Sequence, residues 1–177
     1  MAKSAFIVRV PEAEPCVGAL RERFDPSARL GVPAHVTVLF PFMAPDLVTD
    51  AVLERARHAI CQVHAFSFKL TNVRRFSETT YLAPDPAEPF IALTESLYRS
   101  FPQHPPFGGD HEGIVPHLTV AHGSRSGAEI AAVELAAALD AHGPVASICR
   151  SVVLLEDSSG CWKEMHAFAL PTAADAR

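Results

Sequence analysis

The stretches PAHVTV at residues 33–38 and VPHLTV at residues 115–120 are the most informative about the fold. Both place histidine, an apolar residue, threonine and valine in the same order, and each has a proline just ahead of its histidine. Side chains alternate between the two faces of a β-strand. Each stretch, as a strand, therefore puts its histidine and threonine on one face and its apolar residues on the other.

The residue pattern on both sides of these motifs predicts strands that alternate with helices. Strands are predicted at 5–10, 35–40, 66–71, 79–82, 115–121, 147–155 and 161–170, the last two joined by a turn at 157–160. Helices are predicted at 12–24, after a cap at Asp46, from Pro89, and at 127–141, where Ile130, Val133 and Ala137 would form one apolar face.

The order of elements repeats along the chain. Phe66, where a predicted strand starts, lies 31 positions after His35, and Ile148 lies 31 positions after His117. This spacing indicates an internal duplication. Short connections and hairpins favour largely antiparallel sheets. We therefore expect an α+β protein in which residues 1–177 form one domain of two pseudo-symmetric lobes.

Composition narrows the class of protein. Hydrophobic residues make up 49% and charged residues 20%, as in globular proteins. No apolar stretch could cross a bilayer and the N-terminus reads as a strand, so we expect a cytoplasmic protein with no membrane partner. A net charge of -5 argues against holding long nucleic acid by charge alone, but permits a pocket for one phosphate. The four cysteines form no CxxC pair, which disfavours a zinc finger.

The paired motifs suggest a reaction. If the duplication brings the two polar faces together, one cleft holds His35, His117, Thr37 and Thr119. Two imidazoles on opposite sides of a phosphorus atom can take a proton from water and give one to the leaving oxygen near neutral pH. Threonine hydroxyls can donate hydrogen bonds to the non-bridging oxygens. This scheme needs no metal and no cofactor.

The two motifs resemble those of the 2H phosphoesterase superfamily, and are most similar to its bacterial 2'-5' RNA ligase and cyclic phosphodiesterase branch. HVTVLFPF at 35–42 and HLTVA at 117–121 carry the resemblance. It implies a bilobal fold of two largely antiparallel sheets flanked by helices around a central cleft. It also implies 2',3'-cyclic phosphate hydrolysis or 2'-5' phosphodiester chemistry on RNA ends or nucleotides. His35 and His117 would then be the catalytic pair, and Thr37 and Thr119 would bind phosphate.

One position departs from the family pattern. Members of the RNA ligase branch often have arginine three residues after the second threonine, and this chain has His122 there. His122 and Arg125 are candidate substrate-binding residues, although the odd offset from His117 would turn His122 to the opposite face of a regular strand. Phe107, in a Pro/Gly-rich loop, is the candidate rim residue, whereas core packing is expected for Phe40, Phe42 and Tyr81.

Two other functions stay open. The cleft could bind a nucleotide or an RNA end without turning it over. Alternatively, His104, His111 and His117 could hold a metal, although their spacing fits no familiar zinc pattern. As a working expectation, we take the protein to be a monomer without cofactor that acts on an RNA end or a small nucleotide phosphodiester.

Overall fold

The computed structural model describes residues 2–109 and 113–172. Eight strands form two antiparallel sheets of four strands each, as predicted for an α+β protein. The first sheet has the order β2-β1-β7-β8, with β1 (Ser4–Arg9), β2 (His35–Leu39), β7 (Ser151–Glu156) and β8 (Lys163–Ala169). The second has the order β5-β4-β3-β6, with β3 (Phe66–Arg75), β4 (Thr79–Asp85), β5 (Leu118–His122) and β6 (Val145–Cys149).

The two motifs occupy corresponding places, because β2 and β5 are each the edge strand of their sheet. Strands β2 and β5 also contact each other, so the sheets meet along the two motif strands. His35 is the first residue of β2, whereas His117 lies one residue before β5 rather than inside it as predicted. The fold therefore brings together two segments that are far apart in sequence.

The described residues form five α-helices: α1 (Glu14–Phe24), α2 (Pro26–Arg29), α3 (Asp50–Ile60), α4 (Glu88–Ser100) and α5 (Arg125–His142). Helix α1 follows β1 in the chain but packs against β5 and α5, and α4 follows β4 but packs against β2. Helix α1 thus leaves the first sheet and packs on the second, and α4 leaves the second sheet and packs on the first. These crossings hold the two motif strands together. None of the helices in the described ranges is long and apolar enough to cross a membrane.

The main core is continuous between the sheets and helices. Strand β3 shows the predicted alternation, with Phe68 and Leu70 buried and Lys69 exposed. Four phenylalanines are among its largest fully buried side chains: Phe6, Phe90, Phe101 and Phe168. Burying one such side chain contributes about 1.5–3 kcal/mol, so this core stabilises the frame on which the motif strands are held.

Three further predictions about local structure are wrong. Thr49, not Asp46, caps α3, because its hydroxyl accepts a hydrogen bond from the Val52 amide. The strand predicted at 147–155 breaks at Arg150 into β6 and β7, which belong to different sheets. Residue types that favour strands run through this break, so local propensity does not reveal where the chain changes sheets.

The third wrong prediction concerns the face of α5. Val133 is 72% exposed and Ile130 48% exposed, whereas Ala128, Ala131 and Leu135 are buried against the second sheet. Alanines lie on every side of this helix, so its apolar pattern does not single out one face. Small side chains allow the helix to approach the sheet closely, and packing decides which face is buried.

The corresponding strands of the predicted duplication do not lie in separate sheets. The strands that start near Phe66 and Ile148 pair with each other in one sheet, with Ser67 opposite Ile148. The first sheet takes β1 and β2 from the start of the chain and β7 and β8 from its end, while the middle of the chain builds the second sheet. The two sheets therefore do not correspond to the two halves of the sequence.

Candidate active site

A single cavity of about 700 Å³ takes in both motifs. Its lining includes His35 and Thr37 from β2, and His117 and Thr119 from β5 and the residue before it. All four side chains are half-buried, with the apolar residues between them turned into the core. The two predicted polar faces therefore meet in one cleft.

The two imidazoles are oriented in the same way. Nδ1 of His35 lies 2.8 Å from the carbonyl oxygen of Pro33, and Nδ1 of His117 lies 2.7 Å from that of Val115. A carbonyl can only accept, so in each neutral ring Nδ1 carries the proton and donates it to this bond. Nε2 is then the basic nitrogen of each ring. In both motifs the ring contacts the carbonyl of the residue two positions earlier, and this hydrogen bond fixes the tautomer.

His35 is held in its neutral form. Burial lowers its pKa to about 4, the main cause, and the Pro33 carbonyl opposes this shift. The positive charge of Arg21 lowers the His35 pKa further, Asp25 raises it, and His117 lowers it. At neutral pH, His35 is therefore unprotonated and able to accept a proton.

A buried charged network supports this side of the cleft. Nε and Nη2 of Arg21 donate to Oδ2 of Asp25 at 3.1 and 2.9 Å, and both side chains are almost fully buried. The other carboxylate oxygen of Asp25 accepts from the amide and hydroxyl of Ser27 at 3.0 and 2.8 Å. Asp25 and Ser27 both line the cavity. The only local signal at these positions is the cap pattern Asp25-Pro26-Ser27, which predicts the start of a helix but no place in a cleft.

Three aromatic rings surround His117. Phe76 and Tyr81 approach it edge-on at 5.7 and 5.4 Å between ring centres, and Phe107 lies nearly parallel to it at 6.0 Å. Phe107 has a positive φ of 52°, which is rare for a bulky residue, and its amide donates to the Phe40 carbonyl at 2.6 Å. This backbone conformation and contact place the Phe107 ring against the candidate catalytic histidine, where it lines the cavity.

A β-bulge follows the threonine in each motif. Ile7 pairs with Thr37 and Phe6 with Leu39, which leaves Val38 as the extra residue on β2. An extra residue reverses the side-chain alternation beyond it. The third residue after Thr37 is Phe40. It packs against the smaller apolar cluster of the first sheet, in line with the prediction, but it is only half-buried and also lines the cavity.

The bulge on β5 brings His122 into the cleft. Tyr81 pairs with Thr119 and Thr80 with Ala121, so Val120 is the extra residue. The prediction that His122 faces away from Thr119 is therefore wrong, and His122 lines the cavity. Its Nδ1 forms a 2.8 Å hydrogen bond with the Thr79 hydroxyl on β4. The position that the family pattern gives to arginine thus holds an anchored imidazole.

The half of the cleft beside the first sheet is apolar. Ala5, Ile7 and Leu155 form its floor, and all three are buried. The rings of Phe40 and Trp162 meet edge-to-face above them, 6.1 Å apart. This surface has room for a flat, uncharged part of a ligand, and the polar residues of the motifs lie on the other side of the same cavity.

Two other predicted residues have different surroundings. Arg125 begins α5, is 80% exposed and lies 3.7 Å from Glu129, outside the residues that line the cavity. His104 packs against the Phe42 ring at 5.0 Å, and burial lowers its pKa. His111 lies outside the described residues. Within the described ranges, no three His, Cys, Asp or Glu side chains are grouped so that they could hold a metal ion.

The low pKa of His35 predicts that acid destabilises the fold. The unfolded chain binds a proton at this histidine near pH 6.5, whereas the folded chain does so only near pH 4. Stability is therefore complete above pH 6.5 and falls as the pH drops towards 4, by roughly 2–3 kcal/mol from this group. We expect urea unfolding to show a smaller loss in His35→Gln than in wild type. An identical pH dependence in both proteins would contradict the shift.

Comparisons with known proteins agree with this architecture. The fold is similar to that of Escherichia coli LigT, with a TM-score of 0.60 and 15% identity over 97% of this chain and 99% of LigT. A Thermus thermophilus protein matches with a TM-score of 0.59 and 16% identity, over 97% of this chain and 99% of that one. These likenesses concern the fold.

Sequence comparison defines the family. A Bacillus cytotoxicus protein named "Putative phosphoesterase" is 27% identical over 106 residues, and the match spans 58% of this chain and 58% of the relative's own length. The profile of the 2'-5' RNA ligase superfamily matches residues 9–160, which include both motifs. This confirms the resemblance carried by the motifs: the chain belongs to the 2'-5' RNA ligase superfamily of 2H phosphoesterases.

Proposed function

We propose that this protein is a metal-independent phosphodiesterase that acts on nucleotides or RNA ends, with 2',3'-cyclic phosphates as its simplest substrates and 2'-5' phosphodiester chemistry as a related activity. One observation carries the proposal: two imidazoles with the same Nδ1–carbonyl contact line one cavity, each beside a threonine. The pair His35 and His117 can move two protons, and Thr37 and Thr119 can hold the phosphate.

The electrostatics favour one division of labour. His35 is unprotonated at neutral pH, so it accepts a proton from the attacking water. A bond forms between the water oxygen and phosphorus, and one ester P–O bond of the ring breaks. In this scheme His117 carries a second proton on Nε2 and gives it to the leaving ribose oxygen, which becomes a hydroxyl. The hydroxyls of Thr37 and Thr119 donate to the non-bridging oxygens, where negative charge is held in the transition state.

Other residues would bind the rest of the substrate. His122, anchored by Thr79, lies in the cleft three residues after Thr119 and can donate to a phosphate oxygen. Phe107 can cover the reacting group next to His117. The fold neighbour LigT has been crystallised with 3'-AMP, with NADP+ and with phosphate, which supports nucleotides and phosphates as the ligand class.

Turnover in the presence of EDTA tests this function. We expect the wild-type protein to convert nucleoside 2',3'-cyclic phosphates into nucleoside monophosphates at an unchanged rate when EDTA is added, as followed by ³¹P NMR or chromatography. Loss of activity with EDTA and its return with a divalent metal would contradict the metal-independent mechanism. Binding of the cyclic nucleotide without any turnover would support a binding module instead.

A further inference from the structure

The charges in the cleft are unusual for a site that receives a phosphate. Its described lining contains five ionisable residues: Asp25, Glu78, His35, His117 and His122. Neither lysine nor arginine is found among the lining residues that the structure describes. Three imidazoles therefore face two carboxylates, in a chain whose formal net charge is -5. A site that holds several phosphates normally uses permanent cations.

The two carboxylates differ in their surroundings. Asp25 is bound by the buried guanidinium of Arg21, so its charge is compensated from behind. Glu78 is exposed, and its carbonyl accepts a hydrogen bond from the Gly123 amide at 3.1 Å, which keeps it beside the end of β5. Glu78 lines the cavity next to Thr79, which pairs with His122, so its negative charge belongs to the same end of the cleft.

Nearby cations are already engaged. A groove of about 430 Å³ on the other side of His122 is lined by Arg23 and Arg29. Arg23 makes two hydrogen bonds to the Glu134 carboxylate, at 2.6 and 3.2 Å, and Arg29 donates to two main-chain carbonyl groups. Lys3, whose Nζ lies 5.7 Å from the centre of the Phe40 ring, does not line the cavity.

One negative charge can still be accommodated. The hydroxyls of Thr37 and Thr119 and the imidazoles can hold one phosphodiester group, which carries a single charge. The apolar floor of Ala5, Ile7 and Leu155, with Trp162 above it, suits an uncharged ring system. A phosphomonoester would add almost two more negative charges near neutral pH, close to Glu78 and without a permanent partner.

We propose that the cleft selects small phosphodiesters with a single negative charge and an uncharged, flat body, and that it discriminates against substrates with a second phosphate, such as phosphorylated RNA ends. This inference rests on the proposed function and narrows its substrate class. Lysine and arginine usually bind a polyphosphate or an RNA strand. The described lining of this cleft has imidazoles, carboxylates and an apolar surface instead.

A matched pair of substrates tests the selection. Cytidine 2',3'-cyclic phosphate and its 5'-phosphorylated form differ only in a remote phosphomonoester. We expect the second phosphate to lower kcat/KM by about tenfold or more at low ionic strength, and the difference to shrink as salt screens the charges. A 5'-O-carbamoyl derivative, similar in position but uncharged, controls for size and should be turned over like the unmodified compound.

The Glu78→Gln variant tests the origin of the effect. It removes the carboxylate but keeps the shape, so we expect it to raise kcat/KM for the 5'-phosphorylated substrate severalfold more than for the singly charged one. Discrimination that is unchanged by both Glu78→Gln and salt would be steric and would overturn the inference.

The remaining outcomes separate this inference from the proposed function. Equal or faster turnover of the 5'-phosphorylated substrate would overturn the inference alone and would point to the groove of Arg23 and Arg29. Turnover of none of the three compounds, with folded wild-type protein, would overturn the proposed function and this inference with it.

Discussion

Replacing either His35 or His117 with alanine is expected to lower kcat for a nucleoside 2',3'-cyclic phosphate by about 10²–10⁴-fold, because under the proposed mechanism each variant lacks one of the two proton transfers. The two rings line one cavity with one type of anchor, and the proposed mechanism uses both in the same step. The double variant should therefore be little slower than the worse single variant. Single-turnover assays at saturating substrate measure the chemical step directly.

His142→Ala is the matched control for these variants. Its Nδ1 also contacts a main-chain carbonyl, that of Ala138 at 2.9 Å, but it is exposed at the end of α5, away from the cleft. We expect this variant to keep wild-type turnover. Near-wild-type turnover in His35→Ala or in His117→Ala, with unchanged thermal unfolding, would show that the pair does not perform the acid–base chemistry.

The Asp25→Ala variant is expected to lower the free energy of unfolding by about 3–5 kcal/mol, because it leaves the Arg21 guanidinium buried without a counter-charge. The side chains of Arg21 and Asp25 are 3% and 4% exposed, so the intact pair is almost fully shielded from water. The loss of the hydrogen bond from the Ser27 amide, which caps α2, adds to the cost. Urea unfolding at pH 7 gives the free-energy difference.

A surface pair on the same protein provides the control. Arg9 and Glu164 are joined at 2.7 Å, but their side chains are 40% and 43% exposed. Glu164→Ala should therefore cost less than about 1 kcal/mol. The double variant Arg21→Met/Asp25→Ala should recover part of the stability lost in Asp25→Ala, since no buried charge remains. Equal losses in Asp25→Ala and Glu164→Ala would show that burial does not set the strength of the inner pair.

The main features of the site could be predicted because they depend on local pattern. Alternation along a strand puts histidine and threonine on one face whatever the rest of the chain does. The repetition of the motif, with proline ahead of each histidine, predicts two equivalent strands, and both lie at the edges of their sheets around one cleft. The four motif side chains therefore meet as predicted.

Which residues after the threonines face the cleft could not be predicted, because each motif strand carries a β-bulge. A single extra residue, Val38 or Val120, turns Phe40 and His122 into the cavity. Valine in a strand gives no sign of whether it is paired or bulged, since the partner strand decides which residue is skipped. The expectation for His122 failed for this reason.

The sequence by itself determined the fold class, the two motif strands and the residue types that meet in the cleft, because strand periodicity and turn residues act over a few neighbouring positions. Only the tertiary structure placed Asp25 and Ser27 in the same cleft as His35, set three described aromatic rings around His117, and made the cleft apolar on one side. These placements join elements that are separate along the chain. They depend on how two sheets and the crossing helices pack, which no local pattern encodes.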